Sequence, residues 1–424
     1  MDFEKNEYIP RLIDEQVSEY LNTFGAISIE GPKWCGKTWT SSIHAKSIVY
    51  LDDEQTKNAA IFDVNLILDK ESPELIDEWN LVPKIWDTVR RKCDENRKKG
   101  KYILTCSTEL NAEKKKEVNH SGAGRIGKIK MYTMSLYESG DSTGEASIMD
   151  MLNDNQSNVK VEIPNLNKLC DLIIRGGWPS NIDIPSKNIG LIPKSYIESI
   201  LDKDMNDDKK RDKNKMRMLL RSLARNETTI VNNQTLIRDI EEYSTNDELI
   251  ESRITLNDYL DVLDRLHLIE NQEAYSENYR SPDRLGKTPK RHLTDPSLAC
   301  AVLGLNNEKL SKDFKTLGFM YEALVERDLR IYIEYLGGHL FHFRDNVTGL
   351  EVDSILEFAD GEYAAIEIKL SFDYLEEAKQ HLLKFYDNMI KKPKFMCIIV
   401  GNYEYVVKDP DTGIYILPIT ALKP

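Results

Sequence analysis

The chain has 424 residues, a formal net charge of -14 and 41% hydrophobic residues. This length exceeds one ordinary hydrophobic core, so we expect two to four globular domains. The acidic balance argues against a protein that coats nucleic acid through bulk electrostatics, although it allows a local basic groove.

Two further features concern the cellular compartment. No run of about 18 apolar residues occurs, and the first residues, MDFEKNEYIP, are charged where a signal peptide is apolar. The six cysteines are scattered, without a C-x-x-C pair or a histidine at metal-ligand spacing, so we expect them to be reduced and mostly buried. These features predict a cytoplasmic protein that does not bind membranes.

The first predicted elements are a short apolar strand, GAISIEG, a loop, GPKWCGKT, and a helix, KTWTSSIHAKS. The loop has the spacing G-x-x-x-x-G-K-T, which is typical of a phosphate-binding loop when it lies between a strand and a helix. We expect Lys37 to bind the β and γ phosphates of ATP and Thr38 to bind Mg²⁺. The predicted nucleotide-binding residues are Gly31, Pro32, Lys33, Trp34, Cys35, Gly36, Lys37, Thr38 and Trp39.

A hydrolysing site also needs a carboxylate at the end of a neighbouring strand, and two segments supply one. The segment SIVYLDDE follows the first helix immediately, so we expect it to be an edge strand away from the phosphates. In the alternative segment, ELIDEW, Asp77 would hold Mg²⁺ through water and Glu78 would be the general base. A later strand, YILTCST, ends near Ser107, whose hydroxyl either senses the γ-phosphate or caps a turn.

The chain resembles the prokaryotic AAA-type ATPases whose C-terminal half is catalogued as a domain of unknown function. The resemblance rests on the ordered segments GPKWCGKT, LIDEW, VPKIWDTVRR, ILTCST and GAGRIGKIKMYTMSLYESG. It extends over nearly the whole chain through RGGWPSNI, LLRSLARNETT, TPKRHLTDPSLA, YEALVERDLRIY and GLEVDSILEF. The resemblance implies an arginine that reaches a phosphate, and Arg125 lies in the matching segment. Arg125 would act within its own chain or on a neighbouring copy, and the alternative is a solvated loop arginine.

Composition and resemblance together predict an α/β protein with four ranges. Residues 1–150 form a P-loop AAA-type ATPase core with a parallel sheet, and a polar Gly/Ser-rich stretch leads out of it. Residues 151–205 form the linker and a helical lid. Residues 206–300 form a winged-helix domain, and residues 301–424 form a restriction-endonuclease-like α/β domain.

The winged-helix prediction rests on a short helix, a longer helix over residues 252–266, and a strand from residue 268. In DNA-reading versions the second helix presents polar side chains to bases, as Arg253, Thr255 and Asn257 could do here. Several acidic residues would repel phosphate, namely Glu248, Glu251, Asp258 and Asp261. We therefore favour a helix that packs or binds a protein partner, although the wing, residues 275–295, is more basic and could contact a nucleic-acid backbone.

The C-terminal range carries a second set of chemical groups. Asp353 lies in the predicted strand EVDSILEF, and the next strand, YAAIEIKL, has Glu367 and Lys369 on one face. This is the layout of the PD-(D/E)xK nuclease core, in which Asp353 and Glu367 would hold Mg²⁺ and Lys369 would orient or activate water. Glu322 would add a metal ligand, and Gln380 is a further candidate. The alternative is a nuclease-like fold that only binds.

Together these features predict an ATP-binding and ATP-hydrolysing AAA-type P-loop ATPase with ATP and Mg²⁺ as cofactors. Its nucleotide state would act on a winged helix and a nuclease-like domain, in nucleic-acid metabolism or defence. The alternative is a nucleotide-dependent switch that binds a protein partner and carries an inert nuclease-like fold. Candidate partners beyond ATP are DNA or RNA, a protein, and further copies of the chain.

Overall fold

The structure is a computed structural model that describes residues 7–96, 98–206, 209–243, 253–278, 280, 287–345 and 347–424. The chain divides into two compact units, and each is discontinuous in sequence. The first unit consists of Met1–Thr133, Lys203–Arg211 and Asp261–Leu268. The second consists of Met134–Asp202, Asp212–Leu260 and Ile269–Pro424. Among the described residues, no helix is both long and apolar enough to span a membrane.

The first unit is built on a five-stranded parallel sheet. Its strands are β1 (Ala26–Glu30), β2 (Ser47–Tyr50), β3 (Glu74–Asp77), β4 (Tyr102–Cys106) and β5 (Ile126–Lys130). Its first four helices are α1 (Ile13–Thr23), α2 (Lys37–His44), α3 (Glu54–Phe62) and α4 (Lys84–Asn96). The strand order is β2-β3-β4-β1-β5, with every pairing parallel. The expectation that the strand after the first helix lies at the sheet edge is confirmed by the position of β2.

Alternating residues of β1 explain why this strand lies inside the sheet. Ile27 and Ile29 pack into a cluster that includes Val17 of α1. Ala26, on the opposite face, belongs to a separate cluster that includes Val89 of α4. A parallel strand buried on both faces reads as a nearly continuous apolar run, as AISIE does. The loop after β1 is therefore fixed at the carboxyl edge of the sheet.

The second unit contains most of the other elements. Its helices are α5 (Ile148–Leu152), α6 (Leu166–Arg175), α7 (Leu191–Asp202), α8 (Lys213–Arg225), α9 (Asn233–Tyr243), most of α10 (Arg253–Arg265), α11 (Pro296–Leu303), α12 (Asn307–Leu310), α13 (Phe314–Tyr335) and α14 (Leu375–Asn388). Its strands are β6 (Ala146–Ser147), β7 (Val159–Lys160), β8 (Ile269–Ala274), β9 (Lys290–Leu293), β10 (His339–Arg344), β11 (Glu351–Glu357), β12 (Tyr363–Lys369), β13 (Phe395–Val400), β14 (Tyr405–Lys408), β15 (Tyr415–Leu417) and β16 (Leu422–Lys423). The α10 helix ends in the first unit.

A mixed nine-stranded sheet forms the framework of the second unit, in the order β7-β14-β15-β13-β12-β11-β10-β8-β9. The β8–β9 hairpin joins this sheet because β8 pairs in parallel with β10. Elements from the predicted ranges 206–300 and 301–424 therefore share one sheet. The polar stretch predicted to be a linker also contributes strands, since β6 pairs with β16 and β7 pairs with β14.

The region predicted to be a winged helix has helices and a hairpin in the expected order, α9, α10, β8 and β9. Arg253 and Asn257 are exposed on α10, and Asn257 Oδ1 accepts a hydrogen bond of 3.0 Å from Asn233 Nδ2. Glu248, Glu251 and residues 279 and 281–286 of the wing lie outside the described residues. All six cysteines are free and buried, as predicted.

Candidate functional site

The glycine-rich loop joins β1 to α2. Gly31 and Gly36 are each required in this loop, for different structural reasons. Gly36 directly precedes α2 with φ 106°, in the left-handed region that favours glycine. At Gly31 a Cβ would lie 2.1 Å from the carbonyl oxygen of Met131, so no side chain fits. Both glycines are therefore required by the backbone path of the loop.

Lys37 and Thr38 begin α2 and lie at the carboxyl edge of the sheet. Lys37 is 5% exposed, and its Nζ donates hydrogen bonds of 2.9 Å and 2.8 Å to the carbonyl oxygens of Gly31 and Pro32. Thr38 Oγ1 donates a hydrogen bond of 2.9 Å to Asp77 Oδ1. The ammonium group of Lys37 and the hydrogen-bonded pair of Thr38 and Asp77 therefore lie at the carboxyl ends of the same strands.

Asp77 is the last residue of β3 and is buried. Its Oδ1 accepts a second hydrogen bond, of 2.5 Å, from Thr105 Oγ1 on the neighbouring strand β4. Burial raises the pKa of Asp77, and the hydrogen bonds from Thr105 and Thr38 only partly oppose this. A bound cation would favour the ionised carboxylate. The hard oxygen atoms of Thr38 and Asp77 suit Mg²⁺, so these residues fit the metal that the sequence predicts.

Glu78 follows Asp77 in a sharp turn, with φ 56° and ψ 47°. Ser107 Oγ donates a hydrogen bond of 2.5 Å to Glu78 Oε1, and Ser107 N donates one of 3.3 Å to Glu78 Oε2. Glu78 is half-buried, whereas Ser107 is buried just after the end of β4. The structure therefore brings these two predicted residues together, with Ser107 orienting the Glu78 carboxylate.

Arg11 belongs to this site although no motif in the sequence marks it. Its guanidinium is buried and donates hydrogen bonds of 2.8 Å to the carbonyl oxygen of Cys35, 3.0 Å to that of Tyr132 and 3.2 Å to that of Thr133. Arg11 thus ties the glycine-rich loop to the chain that follows β5.

The other predicted loop residues differ in their surroundings. Lys33 forms an ion pair of 2.6 Å with Asp204, which lies far away in sequence. Trp34 is 46% exposed and has φ 63°, whereas Cys35 is fully buried. Trp39 is half-buried in α2. The contact with Asp204 could not be found from the sequence because nothing local relates the two positions.

Arg125 lies at the amino ends of the parallel strands, whereas the glycine-rich loop lies at their carboxyl ends. It immediately precedes β5, and its carbonyl oxygen accepts a hydrogen bond of 3.0 Å from the N–H of Ala26, at the start of β1. At about 3.3 Å per residue, the length of β1 separates Arg125 from the loop by roughly 15 Å. Arg125 Nε instead pairs with Asp94 Oδ1 at 2.7 Å. Within its own chain, Arg125 is therefore placed away from the loop, and a role for it at a phosphate stays a prediction.

The C-terminal candidates Asp353, Glu367 and Lys369 lie close together. Lys369 Nζ is 2.7 Å from Glu367 Oε2 and 3.7 Å from Asp353 Oδ2. Asp353 Oδ2 also accepts a hydrogen bond of 2.8 Å from the N–H of Ile368. Gln380, by contrast, is exposed on α14. The predicted strand pattern therefore places the carboxylates together, but with an ammonium between them.

Glu322, the third predicted metal ligand, pairs with a lysine that sequence reasoning missed. Lys290 Nζ on β9 is 2.6 Å from Glu322 Oε1 and 2.7 Å from Glu326 Oε1. Burial opposes the charge on Lys290, but the two carboxylates outweigh it and raise the pKa of Lys290. The basic character of the wing was visible in the sequence, but the contact of its strand with α13 was not.

Lysine ammonium groups thus neutralise the cluster where a metal ion was expected. No group of three or more histidine, cysteine, aspartate or glutamate side chains in the described part of the chain is arranged to hold a metal ion. Burial raises the pKa of Glu326 and of Glu367 to about 8 each, although the lysine beside each carboxyl opposes this. This arrangement gives no support to joint Mg²⁺ binding by Asp353, Glu367 and Glu322, which stays a prediction.

Three family models match successive ranges of the chain. Residues 23–140 match a family model described as an AAA domain. Over this range the chain is similar to AAA domains. Residues 166–309 match a domain of unknown function, DUF8612, and residues 317–422 match another, DUF4143. No curated protein matches the chain.

Two solved structures are similar to parts of the chain. One is the Walker-type ATPase PABY2304 of Pyrococcus abyssi, with 11% identity and a TM-score of 0.45 over 71% of this chain and 97% of that chain. The other is the Aeropyrum pernix ORC1 protein in complex with DNA, with 12% identity and a TM-score of 0.29 over 71% of this chain and 95% of that chain.

Several segments that carry the family resemblance meet in a buried polar network of the second unit. The N–H of Gly177 donates a hydrogen bond of 2.9 Å to Asp295, which also pairs with Arg327 at 3.1 Å. Arg327 pairs with Asp328 at 2.6 Å, and Asp328 accepts a hydrogen bond of 2.9 Å from the N–H of Leu136. These partners are buried and satisfy one another, so we interpret this network as structural.

Proposed function

We propose that this protein binds ATP with Mg²⁺ and hydrolyses it at the loop between β1 and α2. The observation that carries the proposal is the cluster at one sheet edge of Lys37, the Thr38–Asp77 pair and Glu78. Lys37 and the backbone N–H groups of the loop would bind the β and γ phosphates. Thr38 and Asp77 would hold Mg²⁺, which supplies charge neutralisation when bound.

Glu78 has the properties that a general base needs in this site. It follows the predicted metal ligand Asp77, and Ser107 fixes one of its oxygens through a hydrogen bond of 2.5 Å. The backbone of Glu78 has φ 56°, in the left-handed region, and such strained residues cluster at functional sites. We therefore assign to Glu78 the removal of a proton from the attacking water.

Steady-state ATP hydrolysis by three proteins tests the proposal. Wild type should turn over MgATP, Lys37→Ala should lose nucleotide binding, and Glu78→Gln should bind MgATP but hydrolyse it at least a hundredfold more slowly. Lys309→Ala is a control, because this lysine lies in the second unit and only caps a loop carbonyl. Binding without turnover by wild type would instead favour a nucleotide-dependent switch.

We also propose that residues 301–424 have a nuclease-like fold that does not cleave nucleic acid. The order α13, β10, β11, β12, α14, β13 matches the helix–three strands–helix–strand order expected of a PD-(D/E)xK core. The observation that favours an inert site is the pairing of Lys290 with Glu322 and Glu326. The function that we infer for residues 301–424 is binding to a protein partner.

Metal-dependent cleavage assays test this second proposal. Wild type and Lys369→Ala should both leave linear and structured DNA and RNA intact in the presence of Mg²⁺ or Mn²⁺. Cleavage by wild type that Lys369→Ala abolishes would contradict the proposal and restore a catalytic role for Lys369.

A further inference from the structure

The end of α10 lies near the carboxyl ends of the parallel strands, where the glycine-rich loop also lies. Residues 261–268 belong to the first unit, together with the AAA-type domain. The carbonyl oxygen of Arg265 accepts a hydrogen bond of 2.9 Å from the N–H of Glu109, which follows β4. Because β4 is next to β1 and parallel to it, their carboxyl ends share an edge. The chain around Arg265 is therefore near the loop.

His267 lies two residues further on and has an unusual environment. Its side chain is 6% exposed, and its backbone φ is 54°. Its Nε2 atom is buried and has no hydrogen-bond partner among the described residues. A buried polar atom without a partner is destabilising, so such an atom near a ligand site calls for an explanation.

The positive charges that act on His267 include that of Lys37, in the glycine-rich loop region. Burial, together with the positive charges of Lys130, Lys37 and Lys128, lowers the pKa of His267 to about 3. Lys128 also pairs with Glu30 at 2.9 Å. His267 is therefore neutral at physiological pH, and a neutral imidazole has one N–H that can donate to a phosphate oxygen. The charge of Lys37, which we expect to bind the terminal phosphates, therefore acts on His267.

We propose that His267 donates a hydrogen bond to the terminal phosphate of the nucleotide bound at Lys37. The region that matches DUF8612 would thus complete the ATP site of the AAA-type domain. This inference rests on the proposed ATP-binding function and deepens it. ADP has no terminal phosphate at this position, so His267 would distinguish ATP from ADP. The β8 strand begins two residues after His267, so its start would be sensitive to the nucleotide state.

Nucleotide affinities of the full chain test this inference. Glu78→Gln serves as the background, because it slows hydrolysis during the titration. Adding His267→Asn should weaken MgATP binding about ten- to a hundredfold, which corresponds to one hydrogen bond to a charged group. MgADP binding should change less than twofold. Asparagine tolerates the left-handed backbone of this position, so the substitution removes the imidazole without adding backbone strain.

Two controls separate this role from a structural one. His381→Asn changes an exposed histidine on α14 and should alter neither affinity. His267→Gly, which is also compatible with φ 54°, should reproduce the selective loss of ATP affinity. An equal loss of ATP and ADP affinity, or unchanged affinity for both, would overturn the inference while leaving the ATPase proposal intact. If the Glu78→Gln background binds neither nucleotide, both proposals fall.

Discussion

Arg11 holds the glycine-rich loop in place through hydrogen bonds, although it belongs to no recognisable sequence motif. Its three acceptors are backbone carbonyl oxygens at the loop and after β5. Because these groups are buried, their desolvation is compensated only while the guanidinium is present. Arg11 therefore acts as a positioning residue for the loop, and it couples the stability of the N-terminal segment to the shape of the phosphate site.

The first prediction concerns this anchor. Arg11→Ala should lower the free energy of unfolding of the first unit by about 2–4 kcal/mol, because several buried carbonyls lose a charged donor. It should also weaken MgATP binding. Thermal unfolding and nucleotide titration measure the two effects. Arg11→Lys is the matched variant, and it should recover part of the stability because one ammonium can reach only some of the acceptors. Unchanged unfolding and affinity in Arg11→Ala would contradict the anchoring role.

The second prediction concerns Arg125. Because Arg125 is at the amino edge of the sheet and pairs with Asp94, Arg125→Ala should leave the ATP hydrolysis rate within about twofold of wild type at low protein concentration. The rate should be measured over a range of protein concentrations. A loss of activity that appears only at high concentration would instead mean that Arg125 acts on a neighbouring copy.

Local sequence patterns identify candidate residues that follow strands, but they do not reveal distant partners. Asp77, Glu78 and Ser107 were predictable because each ends or follows an apolar strand, and parallel strands share their carboxyl edge. Arg125 precedes a strand instead of following one, so the same rule does not place it at the carboxyl ends of the strands. His267 could not be found, since its role depends on a helix end more than 200 residues from the loop.

At the scale of elements, Lys290 connects strand β9 to helix α13. The prediction that follows is a stability effect. Lys290→Met should destabilise the second unit by about 2–4 kcal/mol, because two buried carboxyl groups lose a charged hydrogen-bond donor. Adding Glu322→Gln and Glu326→Gln should restore much of this loss, since neutral amides no longer need the ammonium. Denaturant unfolding of the three proteins measures both effects, and a Lys290→Met protein as stable as wild type would contradict the pairing.

The same cluster predicts a pH dependence. The pKa of Glu326 is raised to about 8 by burial, whereas in the unfolded chain it returns to its ordinary value near 4.5. Between these values the folded state holds a proton that the unfolded state has lost, so the free energy of unfolding falls as the pH rises. One such group contributes at most about 1.4 kcal/mol per pH unit. Glu326→Gln should therefore show a flatter decline of unfolding temperature between pH 5 and 8 than wild type, and equal slopes would contradict this titration.

Element types were more predictable than element neighbours. The periodicity of α10 and the alternation of β11 and β12 indicated helix and strands correctly, because each pattern reflects local burial. The pairing of β8 with β10 was not predictable, since it depends on the register of a strand far along the chain. The stretch around β6 looked like a linker because polar turn residues separate its very short strands.

At the scale of the whole molecule, the units do not follow the order of the sequence. The AAA-type match covers residues 23–140, but the first unit also includes Lys203–Arg211 and Asp261–Leu268. These later segments supply Met205, Leu263 and Leu266 to buried positions and Asp204 to the ion pair with Lys33. Composition divides the chain only into continuous ranges. It therefore cannot reveal a unit that consists of three separate segments.

The last prediction tests this discontinuity. A fragment of residues 1–140 contains the whole AAA-type match but lacks the carbonyl oxygen of Arg265, which accepts the hydrogen bond from the N–H of Glu109. In hydrogen exchange, the Glu109 amide should be protected in the full chain and should exchange much faster in the fragment. The amide of Leu104, inside β4, is the matched control, because its strand partners on β1 and β3 remain present. If Glu109 kept its protection while Leu104 also stayed protected, residues 261–268 would not be part of the folded first unit. The proposed contact of His267 with the nucleotide would then lose its structural basis.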